Sequence, residues 1–188
     1  MLNTILDIQP KEGGGGGGLT REEIVLKMVE DLQNKMPPDY QPDLVKTSIK
    51  GLGGLGKPLN ICLKQEIDRL QLVLKSLRTI LGNLKLAIAG TIVMSPELAE
   101  ALDALFMARV PPVWTKVSVL IAPNMGVWFG NISNRADQLT TWLKNGRPHC
   151  FWLTGFFNPQ GFLTANRQEV CRRHAKDHWA LDDVVNHT

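Results

Sequence analysis

Residues 63–88, LKQEIDRLQLVLKSLRTILGNLKLAI, decide how this chain folds. Leu63, Ile67, Leu70, Leu74, Leu77, Leu81, Leu84 and Ile88 stand 4, 3, 4, 3, 4, 3 and 4 residues apart. Steps of three and four keep these side chains on one side of an α-helix, an a/d seam over nearly four heptads. The spacing predicts a helix over about residues 60–89, roughly 45 Å long at ~1.5 Å per residue. Gly90 stands where a C-terminal stop belongs. Gly82 lies off the seam, at a cost of about 1 kcal/mol against alanine. Ile61, Val73, Ile80 and Leu86, also off the seam, are expected to widen the apolar face. Such a seam suits the central strut of a helical domain; left uncovered, it suits a two-stranded coiled coil.

Shorter helical patterns flank this one. Thr20-Arg21-Glu22-Glu23 has the form of a capping box, with Ile24, Val25, Met28, Leu32 and Met36 following at helical spacing and Pro37-Pro38 as the stop. A weaker helix is expected over about 43–50, ending in Gly51-Leu52-Gly53-Gly54-Leu55-Gly56. Ser95-Pro96-Glu97 combines an N-cap, a proline at N1 and a first-turn acid, and Leu98, Leu102, Leu105 and Phe106 make the stripe behind it. Val110-Pro111-Pro112 breaks that helix. A further helix is expected over about 125–144, with Trp128, Phe129, Ile132, Ala136, Leu139, Trp142 and Leu143 on one face. Phe151 to Phe157 is too short an apolar run for a helix and reads as a buried extended segment or tight turn. Asn158-Pro159 caps a last helix carrying Phe162, Leu163 and Val170; Leu181, Val184 and Val185 hint at a strand. The fold class is all-α, organised around the long helix, with little strand near the C-terminus.

Composition is that of an ordinary globular protein: 188 residues, 44% hydrophobic and 21% charged, which excludes wholesale disorder. A formal net charge of +3 is too small to imply nucleic acid or an anionic membrane without clustering. Cys62, Cys150 and Cys171 are too few for a disulfide framework and suit a reducing compartment. The opening residues lack the basic and apolar regions of a signal peptide. Two uncharged stretches, 117–134 and 148–166, are interrupted by Pro123, Asn124, Asn131 and by His149, Asn158, Pro159, so neither reads as a membrane span. Gly13 to Gly18 is expected to be a flexible loop after a short leader.

Three groupings invite a chemical reading. Gly51 to Lys57 has the G-x-x-x-x-G-K spacing of a phosphate-binding loop, but Pro58 stands where Ser or Thr must ligate Mg²⁺, and a helix rather than a strand precedes it. A glycine hinge is the better reading. His149, Cys150, Cys171, His174 and His178 are metal-type ligands, yet only Cys171 and His174 form a close pair of usable spacing. Arg167, Arg172, Arg173, Lys176 and His174 make the last helix basic, which suits a solvated face or docking surface. No catalytic, cofactor-binding or metal-binding residue is assigned.

Several segments together resemble the C-terminal region of dynein heavy chains, beginning at the end of the sixth AAA+ module. They are residues 3–11, Leu59-Asn60-Ile61 with Gln65-Glu66-Ile67, Gly90-Thr91-Ile92-Val93-Met94-Ser95-Pro96-Glu97-Leu98, and Val110-Pro111-Pro112-Val113-Trp114. The most specific block is Phe151-Trp152-Leu153-Thr154-Gly155-Phe156-Phe157 followed by Gln160-Gly161-Phe162-Leu163-Thr164-Ala165. Asn158-Pro159-Gln160-Gly161 and the glycine run look like the axonemal outer-arm branch, and the turn at 51–56 lies outside the family pattern.

The resemblance implies a structural, non-catalytic segment of an ATP-driven, minus-end-directed microtubule motor, one that bridges or stabilises the AAA+ ring. ATP and Mg²⁺ would belong to other parts of the motor. The partners implied are the rest of the ring, with microtubule and other dynein subunits reached only through the whole motor, and no nucleic acid or membrane. The location implied is cytoplasm and cytoskeleton, in the axoneme of a cilium or flagellum. It divides the sequence into a leader and glycine loop (1–19), a short helical end of an AAA+ module (20–50) and the helical part of the C-terminal region (51–188). The family's β-rich continuation is absent, so the protein would be a fragment or a truncated relative. The rival expectation is a free-standing helical adaptor that binds a partner helix through the 63–88 seam.

Overall fold

Thr20 starts the first helix by a reciprocal exchange. Its hydroxyl accepts the Glu23 N–H at 3.3 Å, and the Glu23 carboxylate accepts the Thr20 N–H at 2.7 Å, so two donors left over at the helix start are satisfied. The computed structural model describes residues 19–120 and 122–185; the leader and glycine loop expected over 1–18 lie outside them. Among the described residues there are seven α-helices and no strand, and 72% of those residues are helical. They are α1 (Arg21–Lys35), α2 (Pro42–Gly51), α3 (Pro58–Ile88), α4 (Pro96–Phe106), α5 (Pro112–Ser118), α6 (Met125–Asn145) and α7 (Pro159–Arg173). None of the described helices is long and apolar enough to cross a membrane.

α3 is the expected long helix, unbroken over 31 residues, or about 46 Å. Its seam from Leu63 to Leu84 is at most 1% exposed, and Ile88 is half-buried. Val73 and Ile80 do widen the buried face, but Ile61 and Leu86 are 41% and 44% exposed. At about 100° per residue these two fall on the side opposite the seam, so apolar identity alone misassigned them.

Two local expectations differ from the structure. The break expected at Val110-Pro111-Pro112 is not what ends α4, which stops at Phe106 with Ala108 turned to a φ of +53°; Pro112 instead opens α5, because a proline at the first helical position has its φ preset and needs no N–H partner. The strand hinted at by Leu181, Val184 and Val185 is absent; Leu181–Asp183 is a 3₁₀ turn. Phe151 to Phe157 takes the tight-turn option, with a 3₁₀ turn at Leu153–Gly155.

The described residues divide into two compact units, which fall within Met1–Pro38 with Leu72–Ser133 and within Asp39–Gln71 with Asn134–Thr188. α3 and α6 each contribute a part to both. In the first unit α1 packs against α4, with Arg21 paired to Asp103 and Lys85 to Glu30 at 3.0 Å. Trp114 and Trp128 stack there, fully buried, with centroids 5.7 Å apart. The Arg78 guanidinium donates to the Pro37 carbonyl and ties down the turn after α1. The second unit holds α2, the first part of α3, the end of α6 and α7.

Candidate functional site

Within the second unit two buried charges hold the Phe151–Asn158 turn from opposite chemistry. Glu66 of α3 is 3% exposed, and its carboxylate accepts the N–H groups of Phe157 at 2.7 Å and Asn158 at 2.9 Å. Arg135 of α6 is 4% exposed and donates to the carbonyls of Gly155 at 2.7 Å and Thr154 at 2.8 Å. Its guanidinium also lies 4.9 Å from the Phe157 ring centroid and 5.5 Å from that of Trp152, within cation–π reach. Burial pulls the Arg135 guanidinium below its ordinary value, and the Glu66 carboxylate opposes that pull. Burial, reinforced by Glu66, pushes the Cys62 thiol up to about 12.

The turn delivers its rings inward. Trp142 meets Phe151 edge-on at 5.0 Å, and Phe156 stacks on Phe162 of α7 at 4.6 Å. Gly155 is obligatory for this packing, because a Cβ there would overlap the Trp152 ring. The Asn158 side chain then accepts the Gly161 N–H at 2.9 Å and caps α7. Sequence reasoning missed Glu66 and Arg135 as anchors. The signal was present: Arg135 interrupts the apolar stripe of α6 at helical spacing from Ile132 and Leu139, and Glu66 lies beside the seam.

A second feature of this unit is a groove of about 620 Å³ lined by Tyr40, Pro42, Val45, Ile49, Leu55 and Ile67. Tyr40 is fixed by its hydroxyl, which donates to the Ala136 carbonyl at 3.1 Å and lies 3.0 Å from the Thr140 hydroxyl. Burial raises the Tyr40 phenol; the Thr140 hydrogen bond lowers it and the Asp137 charge raises it further.

The residues singled out from the sequence are placed as follows. In the Gly51 to Lys57 segment the N–H groups of Gly53, Gly54 and Lys57 donate to the carbonyls of Lys50, Ile49 and Gly54, so they are not aimed at a phosphate. The Lys57 ammonium donates to the Leu52 carbonyl at 2.9 Å, as Asn60 does at 3.3 Å, and closes the end of α2. Gly53 and Gly54 take φ of +106° and +77°, conformations that favour glycine. The segment is a glycine turn that joins α2 to α3.

His149 and Cys150 are exposed, His174 stacks on Trp179 at 4.0 Å, and the Cys171 thiol donates to the Ala180 carbonyl. Among the described residues no three His, Cys, Asp or Glu side chains gather to hold a metal. The basic residues of α7 are largely engaged. Arg167 meets the Leu181 carbonyl and Asp182, Arg172 the Gly56 carbonyl, and Arg173 pairs with Glu169 at 2.6 Å.

Over residues 1–188 the sequence matches the family model for the C-terminal domain of the dynein heavy chain. It is 53% identical over 183 residues to the gamma chain of the flagellar outer arm dynein of Chlamydomonas reinhardtii, covering 97% of this protein and 4% of that one. It is 52% identical over 187 residues to human dynein axonemal heavy chain 8, covering 100% of this protein and 4% of that one. Against the dynein-1-beta heavy chain of the flagellar inner arm I1 complex of Chlamydomonas reinhardtii, identity is 33% over 175 residues, 92% of this protein and 4% of that one. The sequence thus spans about 4% of the length of these relatives. With the motif-bearing turn anchored from both sides and the match running end to end, this protein belongs to the family of C-terminal domains of dynein heavy chains.

Proposed function

We propose that the protein is a structural and mechanical segment of an axonemal dynein heavy chain of the outer-arm type, one that bridges or stabilises an AAA+ ring and holds no catalytic residue. The observation that supports this most is α3. Its 31 residues are continuous, its seam is buried within the protein's own fold, and the two units have it in common. The burial of the seam also removes the face that a free-standing adaptor would need. The higher identity to the outer-arm gamma chain, 53% against 33% for the inner-arm relative, supports the outer-arm type and a place in the axoneme of a cilium or flagellum. ATP, Mg²⁺ and microtubule binding are then functions of other parts of the motor.

The test is a heavy chain lacking residues 19–185, measured beside the intact motor for ATPase rate and microtubule gliding. Nucleotide binding retained with gliding reduced several-fold is the expected result. Unchanged gliding and ATPase overturn the reading.

A further inference from the structure

The groove of the second unit is open to solvent and mostly apolar, bordered by charged side chains, and Leu55 in its lining is 51% exposed. An open groove floored by Val45, Ile49 and Ile67 has room for another element to pack against it. Its lining is already set, since Tyr40 is anchored through Ala136, Thr140 and Gln71.

Charge around the groove says what packs there. Lys64 is paired with Asp68, one turn along α3, and Asp43 sits in the first turn of α2, where the helix N-terminus favours an anion. That leaves Lys46 and Lys50, four residues apart on α2 and both lining the groove. Neither ammonium has an ion-pair or hydrogen-bond partner among the described residues. Like charges at this spacing repel, and a carboxylate pair one helical turn apart would relieve both at once.

We infer that the groove seats an amphipathic helix from elsewhere in the same heavy chain, its apolar face on Val45, Ile49 and Ile67 and two acidic residues at i, i+4 opposite Lys46 and Lys50. The inference rests on the ring-bridging reading and names the kind of element bridged. The relatives extend far beyond the 4% matched here, so such a helix is tethered and engages at high effective concentration.

The test uses the full heavy chain with a photo-reactive phenylalanine analogue at Leu55, and the cross-link mapped by mass spectrometry. The expected product is an intramolecular link to a helix with acids four apart. Its yield should fall at least about fivefold in Lys46→Glu/Lys50→Glu and recover when those acids are changed to lysine. A link to a separate polypeptide, no link, or a yield indifferent to charge reversal overturns the inference. If deleting residues 19–185 still reduces gliding, only the occupant is wrong; if deletion has no effect, the bridging reading falls as well.

Discussion

The Glu66 carboxylate takes the backbone N–H of Phe157 at 2.7 Å across 91 residues of sequence. Together with the bond from Asn158 at 2.9 Å it fixes the exit of the turn where α7 begins. Both donors lie in partly buried surroundings, and a glutamine offers one acceptor oxygen in place of two, so one donor is left facing an NH2 group. Glu66→Gln is expected to cost about 1.5–3 kcal/mol, the range for hydrogen bonds to a charged group. Urea unfolding followed by tryptophan fluorescence measures this; a change under about 0.5 kcal/mol, the scatter of a neutral surface substitution, would show that the turn holds itself.

Arg135 works on the same turn from the other side, and its planar fork is what lets it reach two successive carbonyls. Arg135→Lys keeps the charge but satisfies one carbonyl at best, and about 1–3 kcal/mol of stability should be lost. Gly155→Ala should cost a similar amount, about 1–3 kcal/mol, because its methyl displaces the Trp152 ring from Arg135. Since both changes disturb one set of contacts, the double variant should lose less than the two losses added. Strict additivity in denaturant titrations would place the effects in separate parts of the fold.

Alkaline pH probes the burial of Cys62 and Tyr40. The folded-state value of Cys62 is raised from 9.0 to about 12, so above pH 9 the unfolded state releases its proton first. Stability from this group is complete below pH 9 and falls as pH rises toward 12, with a slope of at most about 1.4 kcal/mol per pH unit. Tyr40, raised from 10.0, adds a loss of the same sign above pH 10. Cys62→Ala should flatten the decline from pH 9 upward toward 12, and Tyr40→Phe only the part above pH 10. In the folded protein iodoacetamide should label exposed Cys150 and spare buried Cys62; rapid labelling of Cys62 near neutral pH would contradict its placement.

The helices are legible in the sequence wherever a cap, a period and a stop coincide. Thr20 with Glu23, Ser95 with Pro96 and Asn158 with Pro159 all cap as their residue types require. α5 was hidden because a proline pair reads first as a break, and seven residues carry too little periodicity to say otherwise. The anchors were harder for another reason. Periodicity reports which face is apolar, and a buried charge on that face registers as noise until its backbone partners, 19 to 92 residues away, are brought to it. The groove is less legible still, since Tyr40, Leu55 and Ile67 meet only through tertiary packing.

The assignment of the seam itself is tested by neighbours on α3. Leu74 is 0% exposed and Lys75 is exposed on the next position of the same helix. Leu74→Ala removes buried methyl groups mid-helix and leaves a cavity, at an expected cost of about 2–5 kcal/mol. Lys75→Ala trades one good helix former for another on the solvent side and should change stability by less than about 0.5 kcal/mol. Thermal and urea unfolding of the pair measure the difference directly. Equal losses would mean that the helix is rotated about its axis relative to the described packing, and with it every residue placed by the 63–88 spacing.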